Sequence, residues 1–125
     1  ANLYYNLGVV TADLGDNEKA RTYYEKAIEL DPSMEDDYLN LVALILKDET
    51  SIVEEMNSLG NSRADNAKYD ILKEKRESVY SECVPILKKL ISISDSNQEA
   101  ARTLMNIYAT LGNNEGFMEM KKLLE

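Results

Sequence analysis

The sequence predicts an all-α fold of packed helical hairpins, and three observations carry that prediction. Leu3 to Pro32 reads as helix, tight turn, helix and stop: Leu3, Leu7, Val10 and Leu14 recur at helical spacing, Gly15 breaks the pattern, and Asp31-Pro32 ends the second helix. Gly8 lies in mid-helix, where glycine costs about 1 kcal/mol against alanine, so a neighbouring helix must approach closely there. Ala20 and Ala27 on the second helix supply small residues facing one way. Finally, the 125 residues include only two prolines and five glycines, while Leu, Ala, Glu and Lys are plentiful, which suits long helices.

The elements follow in order. The first helix spans about Asn2 to Leu14, with Gly15 as a left-handed cap. Asp16 or Asn17 caps the second, with Glu18 in its first turn, and it runs to about Leu30. Ser33 opens the third. Glu35, Asp36 and Asp37 are accounted for by the positive end of that helix. Its apolar pattern (Tyr38, Leu41, Val42, Ile45, then Ile52, Val53, Met56, Leu59) carries it to about Ser58. The turn Gly60 to Asp65 leads to a fourth helix from about Asn66 to Ser94, whose stripe includes Ile71, Leu72, Val79, Cys83, Ile86, Leu87, Leu90 and Ile91. Pro85 predicts a kink without a break. Ser96 to Glu99 has capping-box spacing and starts a fifth helix, Gly112 ends it, and the last runs from about Asn114 to Leu124. Lys121 and Lys122 sit at its negative end.

The first of these hairpins closely resembles a tetratricopeptide repeat of ~34 residues. Tyr4, Leu7-Gly8, Gly15, Ala20, Tyr24, Ala27 and Pro32 fall in the family's signature positions; Thr11 departs, where the family has a large aromatic. Leu111-Gly112-Asn113-Asn114-Glu115 echoes Leu14 to Glu18, and Phe117 replaces the small alanine of the second helix. The resemblance implies a right-handed α-α superhelix of about three hairpins: repeat 1 at 1–34, an extended repeat 2 at 35–97 with an insertion around 49–78, and repeat 3 at 98–125. The insertion is expected to project as a long antiparallel arm. Ile52, Val53, Met56 and Leu59 would cover Ile71, Leu72 and Val79. The outer face would be charged, with Asp48, Glu49, Glu54, Glu55, Lys68, Lys73, Glu74, Lys75, Arg76 and Glu77. The lengthened middle repeat, with KYDILKEKRESVYSECVPILKKL, is similar to tetratricopeptide proteins of Bacteroidetes-type bacteria. That likeness implies a bacterial envelope or periplasmic location, with the cytoplasm as the alternative.

Charge and chemistry narrow the function. A net charge of −9 disfavours nucleic acid and anionic membrane surfaces and fits a basic or uncharged protein partner. No apolar run nears the ~20 residues of a membrane span. The helical pattern already holds at residue 1, as expected of a fragment or processed chain whose upstream part would hold any targeting segment. With no histidine and one cysteine, general-base, thiol and zinc chemistry lack their usual groups. No GxxxxGK[ST] loop or calcium-loop spacing occurs. Cys83 reads as a buried structural residue. Tyr4, Tyr24, Tyr38, Tyr80 and Tyr108 fall on packing faces, whereas Tyr5 and Tyr23 are the candidates for exposure. No catalytic residue, cofactor or metal site is expected.

The resemblance places a partner-binding groove on the first helices of successive repeats. Its positions here are Asn2, Tyr5, Val9, Ala12 and Asp13; Asp36, Leu39, Asn40 and Ala43; and Glu99, Arg102, Thr103, Asn106 and Ala109. A subclass clamps a chaperone's C-terminal carboxylate with lysine, arginine and asparagine. Tyr5 and Val9 stand where it has lysine and asparagine, only Asn40 fits, and Arg102 is isolated, which argues against that clamp. The expectation is a non-catalytic scaffold binding a neutral or apolar segment of another protein. The alternatives are self-assembly through uncovered repeat ends, where Leu3, Val10 and Leu14 lack a preceding repeat, or an accessory domain of a larger envelope protein.

Overall fold

A computed structural model describes residues 2–125; Ala1 and the Asn2 side chain lie outside the described residues. Six helices follow one another: α1 (Asn2–Asp13), α2 (Asn17–Leu30), α3 (Glu35–Asn57), α4 (Arg63–Ile93), α5 (Gln98–Leu111) and α6 (Asn114–Leu124), with no strand among the described residues. The main packing joins only consecutive helices, α1 on α2 through to α5 on α6. Such neighbour-to-neighbour packing is the mark of a solenoid. The accessible surface of 7874 Å² exceeds the about 6,800 Å² expected for a compact monomer of 14.2 kDa, so the stack is open rather than gathered around one centre.

Local chemistry sets the helix ends. Gly15 (φ +87°) and Gly112 (φ +75°) take the left-handed conformation after α1 and α5, which costs glycine little. The Asp16 carboxylate accepts from the Lys19 N–H at 3.2 Å and the Asn113 carbonyl from the Gly116 N–H at 2.9 Å, so the two echoing turns cap their next helices alike. Three caps differ from expectation. Ser33 bonds Asp31 instead, leaving Met34 as the uncapped N-terminal flank of α3. Ser62 caps α4 by accepting from the Asp65 N–H at 3.0 Å, so that helix starts at Arg63 rather than near Asn66. Asn97, not Ser96, caps α5 through the Ala100 N–H at 3.0 Å. The helix α4 runs unbroken through Pro85.

The core runs along the stack. Ala20, Tyr24, Tyr38, Leu41, Ile45, Cys83, Leu87, Leu90, Leu104 and Tyr108 are buried in one cluster. A glycine opposite a tyrosine ring seats the helices at two places. A Cβ built on Gly8 would lie 2.7 Å from the Tyr24 ring, and one on Gly116 would lie 2.7 Å from the Tyr108 ring. The close approach demanded by Gly8 is therefore made by an aromatic side chain. Burial pushes the Cys83 thiol up to about 11, which keeps it protonated and inert at neutral pH.

The insertion is a helix pair, with α4 (31 residues) about 46 Å long and packed on α3. Met56 and Leu72 are buried between the two, but Ile71 is exposed, so the apolar seam is narrower than the sequence suggests. Glu49 and Arg76 do not belong to a solvated outer face. Their ion pair (3.1 Å) is partly buried, and the Tyr80 hydroxyl also donates to Glu49 at 2.7 Å. Asp37 is likewise no solvated first-turn charge: it is 0% exposed.

Candidate functional site

Two clefts lie along the first helices of the three hairpins, α1, α3 and α5. The larger, about 310 Å³, lies between α1 and α3 and is lined by Tyr5, Val9, Ala12, Asp13, Asn40 and Ala43, with Tyr24, Leu44 and Lys47. The spacing of Tyr5, Val9 and Ala12 puts them on one face of α1, while Gly8 points at α2. The second, about 230 Å³, lies where α3 and α4 meet α5 and includes Glu49, Tyr80, Thr103, Asn106 and Thr110.

In the first cleft the half-buried Asn40 side-chain N–H donates to the Tyr5 hydroxyl at 3.0 Å, joining α1 to α3. The Tyr5 ring tilts against Tyr24 with centroids 6.2 Å apart. Burial, followed by the neighbouring Tyr5 and Asp13, raises the Tyr24 phenol, which stays neutral. The Tyr5 oxygen and the Asn40 amide keep further hydrogen-bonding capacity toward the cleft. Val9, Ala12 and Ala43 supply small apolar contacts, and Asp13 and Lys47 add one charge of each sign. That mixture suits a peptide backbone with apolar side chains. In the second cleft, Glu49 is engaged with Arg76 and Tyr80, and burial first, then Glu49, raises the Tyr80 phenol.

The expected groove residues are distributed unevenly. Tyr5, Val9, Ala12, Asp13, Asn40 and Ala43 gather in the first cleft, and Thr103 and Asn106 in the second. Asp36, Arg102, Glu99 and Ala109 are exposed and line neither, while the half-buried Leu39 packs on the core. Asn2 falls outside the described side chains. Lys47 was missed although it occupies the Asp13 position one repeat later, so the repeat spacing carried the signal. Glu49 and Tyr80 were missed as a pair because nothing in sequence brings positions 31 residues apart together. A further cleft of about 520 Å³ lies between α2, α3 and α4, with Ile28, Tyr38, Leu41 and Ile86 among its lining residues. Arg21 crosses it to Glu82 at 3.2 Å.

No helix among the described residues is long and apolar enough to cross a membrane, and no group of acidic, histidine or cysteine side chains among them could hold a metal ion. Residues 1–34 match the family described as Tetratricopeptide repeat. Photosystem I assembly protein Ycf3 of Rippkaea orientalis is 25% identical over 105 residues, covering 84% of this chain. The chain spans 52% of that protein's length. The first hairpin, its glycine seated against Tyr24 and its turn closed by Gly15, thus matches a tetratricopeptide repeat, and the six helices make an all-α helical-repeat fold.

Proposed function

We propose that the chain is a non-catalytic interaction and scaffold module that holds a segment of another protein in the cleft between α1 and α3. Tetratricopeptide repeats generally mediate protein–protein interactions, and the similar cyanobacterial protein is named for assembly. The observation that carries the reading is the Tyr5–Asn40 pair (3.0 Å) set in an open cleft among small apolar side chains. Its polar atoms can meet a peptide backbone, and the apolar walls can take aliphatic side chains. The mixed lining favours a neutral or weakly basic segment over a strongly acidic one, given the net charge of −9.

A random dodecamer peptide library selected on the protein, followed by calorimetric titration of the winners, tests this. Ala43→Arg fills the cleft from an exposed position and is expected to weaken binding at least ~10-fold. Tyr5→Phe removes one hydroxyl and should weaken it by about 3- to 10-fold. Selected peptides that bind both variants as they bind the parent would move the site out of this cleft, to the helical arm or the cleft between α2, α3 and α4.

A further inference from the structure

We propose that the second cleft, where α3 and α4 meet α5, is a lysine pocket that reads one residue of the partner segment. It rests on that segment being held between α1 and α3. The pocket owes one wall to the insertion. Hairpins 1 and 3 turn at Gly15 and Gly112, both left-handed, but Glu49 stands in the same slot of hairpin 2 and α3 continues through it. A carboxylate thus takes the place of a turn glycine. Leu46 and Glu49, three residues apart, lie on one side of α3, and Thr103, Asn106 and Thr110 lie on one side of α5. Tyr80 adds a wall from α4.

Three features select lysine as the occupant. First, the cleft is rich in open acceptors. Glu49 Oε1 accepts from Arg76 Nε at 3.1 Å and from the Tyr80 hydroxyl at 2.7 Å, whereas Oε2 has no partner among the described residues. The Thr103 hydroxyl and the Asn106 side-chain carbonyl are open too, since Thr110 donates to the Asn106 backbone carbonyl instead. An ammonium group, with three N–H donors and no acceptor, can meet those three oxygens. Arg76 stays with Tyr80, its guanidinium carbon 5.4 Å from the ring centroid, and no cationic side chain among the described residues lines the cleft. The net charge of −9 favours an incoming cation. Second, the occupied Oε1 disfavours arginine, whose planar fork is matched by both oxygens of a carboxylate. Third, about 230 Å³ falls below the ~300–1,000 Å³ of small-molecule sites, so the cleft takes one side chain rather than a whole ligand. Leu46 and Ile107 supply apolar contact for the stem of a lysine.

The two clefts flank α3. Asn40, Ala43 and Lys47 lie along one side of that helix, Leu46 and Glu49 along another. Crossing a helix about 10 Å wide takes an extended segment, at ~3.3 Å per residue, roughly three to four residues. The lysine is therefore expected that far along the partner from the residue seated beside Tyr5 and Asn40.

The random dodecamer library, selected on the parent protein, is expected to yield binders with one lysine at a fixed place. Norleucine there keeps the aliphatic stem without the charge, and in calorimetric titration it should weaken binding at least ~10-fold. Glu49→Gln keeps an oxygen for Arg76 and Tyr80. It should weaken the lysine peptide by the same factor and bind the norleucine peptide as the parent does, so the two losses do not add. Asn106→Ala, at an exposed position on the α5 wall, should weaken the lysine peptide by about 3-fold and leave the norleucine peptide unchanged. Binders without a lysine preference, or a lysine effect that survives Glu49→Gln and Asn106→Ala, would overturn the pocket even where Ala43→Arg weakens binding as the α1–α3 cleft requires. A lysine effect lost in Glu49→Gln, with binding indifferent to Ala43→Arg, would support the pocket and remove the other cleft. A library without binders would overturn both.

Discussion

Gly8→Val is expected to lower the melting temperature by about 10 °C, a loss of roughly 3 kcal/mol. A Cβ at this position would stand 2.7 Å from Cε1 and 2.8 Å from Cδ1 of Tyr24. The ring cannot swing away freely, because it is 4% exposed and packs against the Tyr5 ring with centroids 6.2 Å apart. Relief must come from moving α1 away from α2, which loosens the core along the whole hairpin. Gly8→Ala makes the cause visible. Alanine gains about 1 kcal/mol in helix propensity, yet the clash outweighs it and the variant should be destabilised by about 1 kcal/mol net. In a Tyr24→Leu background the clash is gone, so the same Gly8→Ala change should stabilise by about 1 kcal/mol. Chemical denaturation of the four proteins measures that reversal of sign. Equal effects in both backgrounds would mean that the ring is not what excludes the methyl group.

Asp37→Leu is expected to stabilise the fold by about 1–3 kcal/mol. Asp37 is 0% exposed, and both of its carboxylate oxygens lack a hydrogen-bond partner among the described residues. Burial raises its pKa above the usual carboxylate range, and the neighbouring Asp31 and Asp36 push it the same way. The matching positions of the other repeats hold Leu3 and Ala100, so an apolar side chain is what this slot ordinarily takes. The pH dependence follows by linkage. Because the folded-state value is raised, the folded chain binds more protons than the unfolded chain between about pH 4 and that value. This contribution is fully present below about pH 4 and is lost as pH rises through the folded-state value. The advantage of Asp37→Leu over the parent should therefore be small near pH 4 and grow toward pH 7 in parallel urea titrations. A constant difference would show that Asp37 stays ionised across the range.

What the sequence disclosed and what it hid divide along the same physical line. Local rules were legible. Gly15 had to be left-handed because a turn follows a helix there, Asp31-Pro32 had to stop α2, and Cys83 had to be buried because it sits within an apolar stripe. The helical spacing of Leu3, Leu7, Val10 and Leu14 was legible too, and α1 spans the first three. Contacts set by how two helices cross were not. The need for space at Gly8 could be read, but its occupant was assigned to the backbone near Ala20 and Ala27, whereas the Tyr24 ring fills it. Gly116, seated against Tyr108, went unread because it falls one position before the alanine slot that Phe117 occupies. Glu49 and Arg76 looked like solvated arm charges, since only the crossing of α3 and α4 brings them within 3.1 Å. Asp37 looked like dipole compensation beside Glu35 and Asp36. Comparison with Leu3 and Ala100 one repeat away would have placed it in the core. In the candidate cleft, residues of α1 and α3 were legible from the repeat spacing, and Asp36 and Arg102 were not excluded because their exposure depends on where each helix turns out of the stack.

Consecutive hairpins stack side by side and leave a cleft between the first helices α1 and α3. Small-angle scattering extrapolated to zero concentration tests this arrangement most directly. The stack predicts a radius of gyration clearly above the about 14 Å of a compact chain of 125 residues, with a distance distribution tailing to long separations. A value near about 14 Å with a symmetric distribution would mean that the six helices close around one centre, with no cleft for a partner to enter.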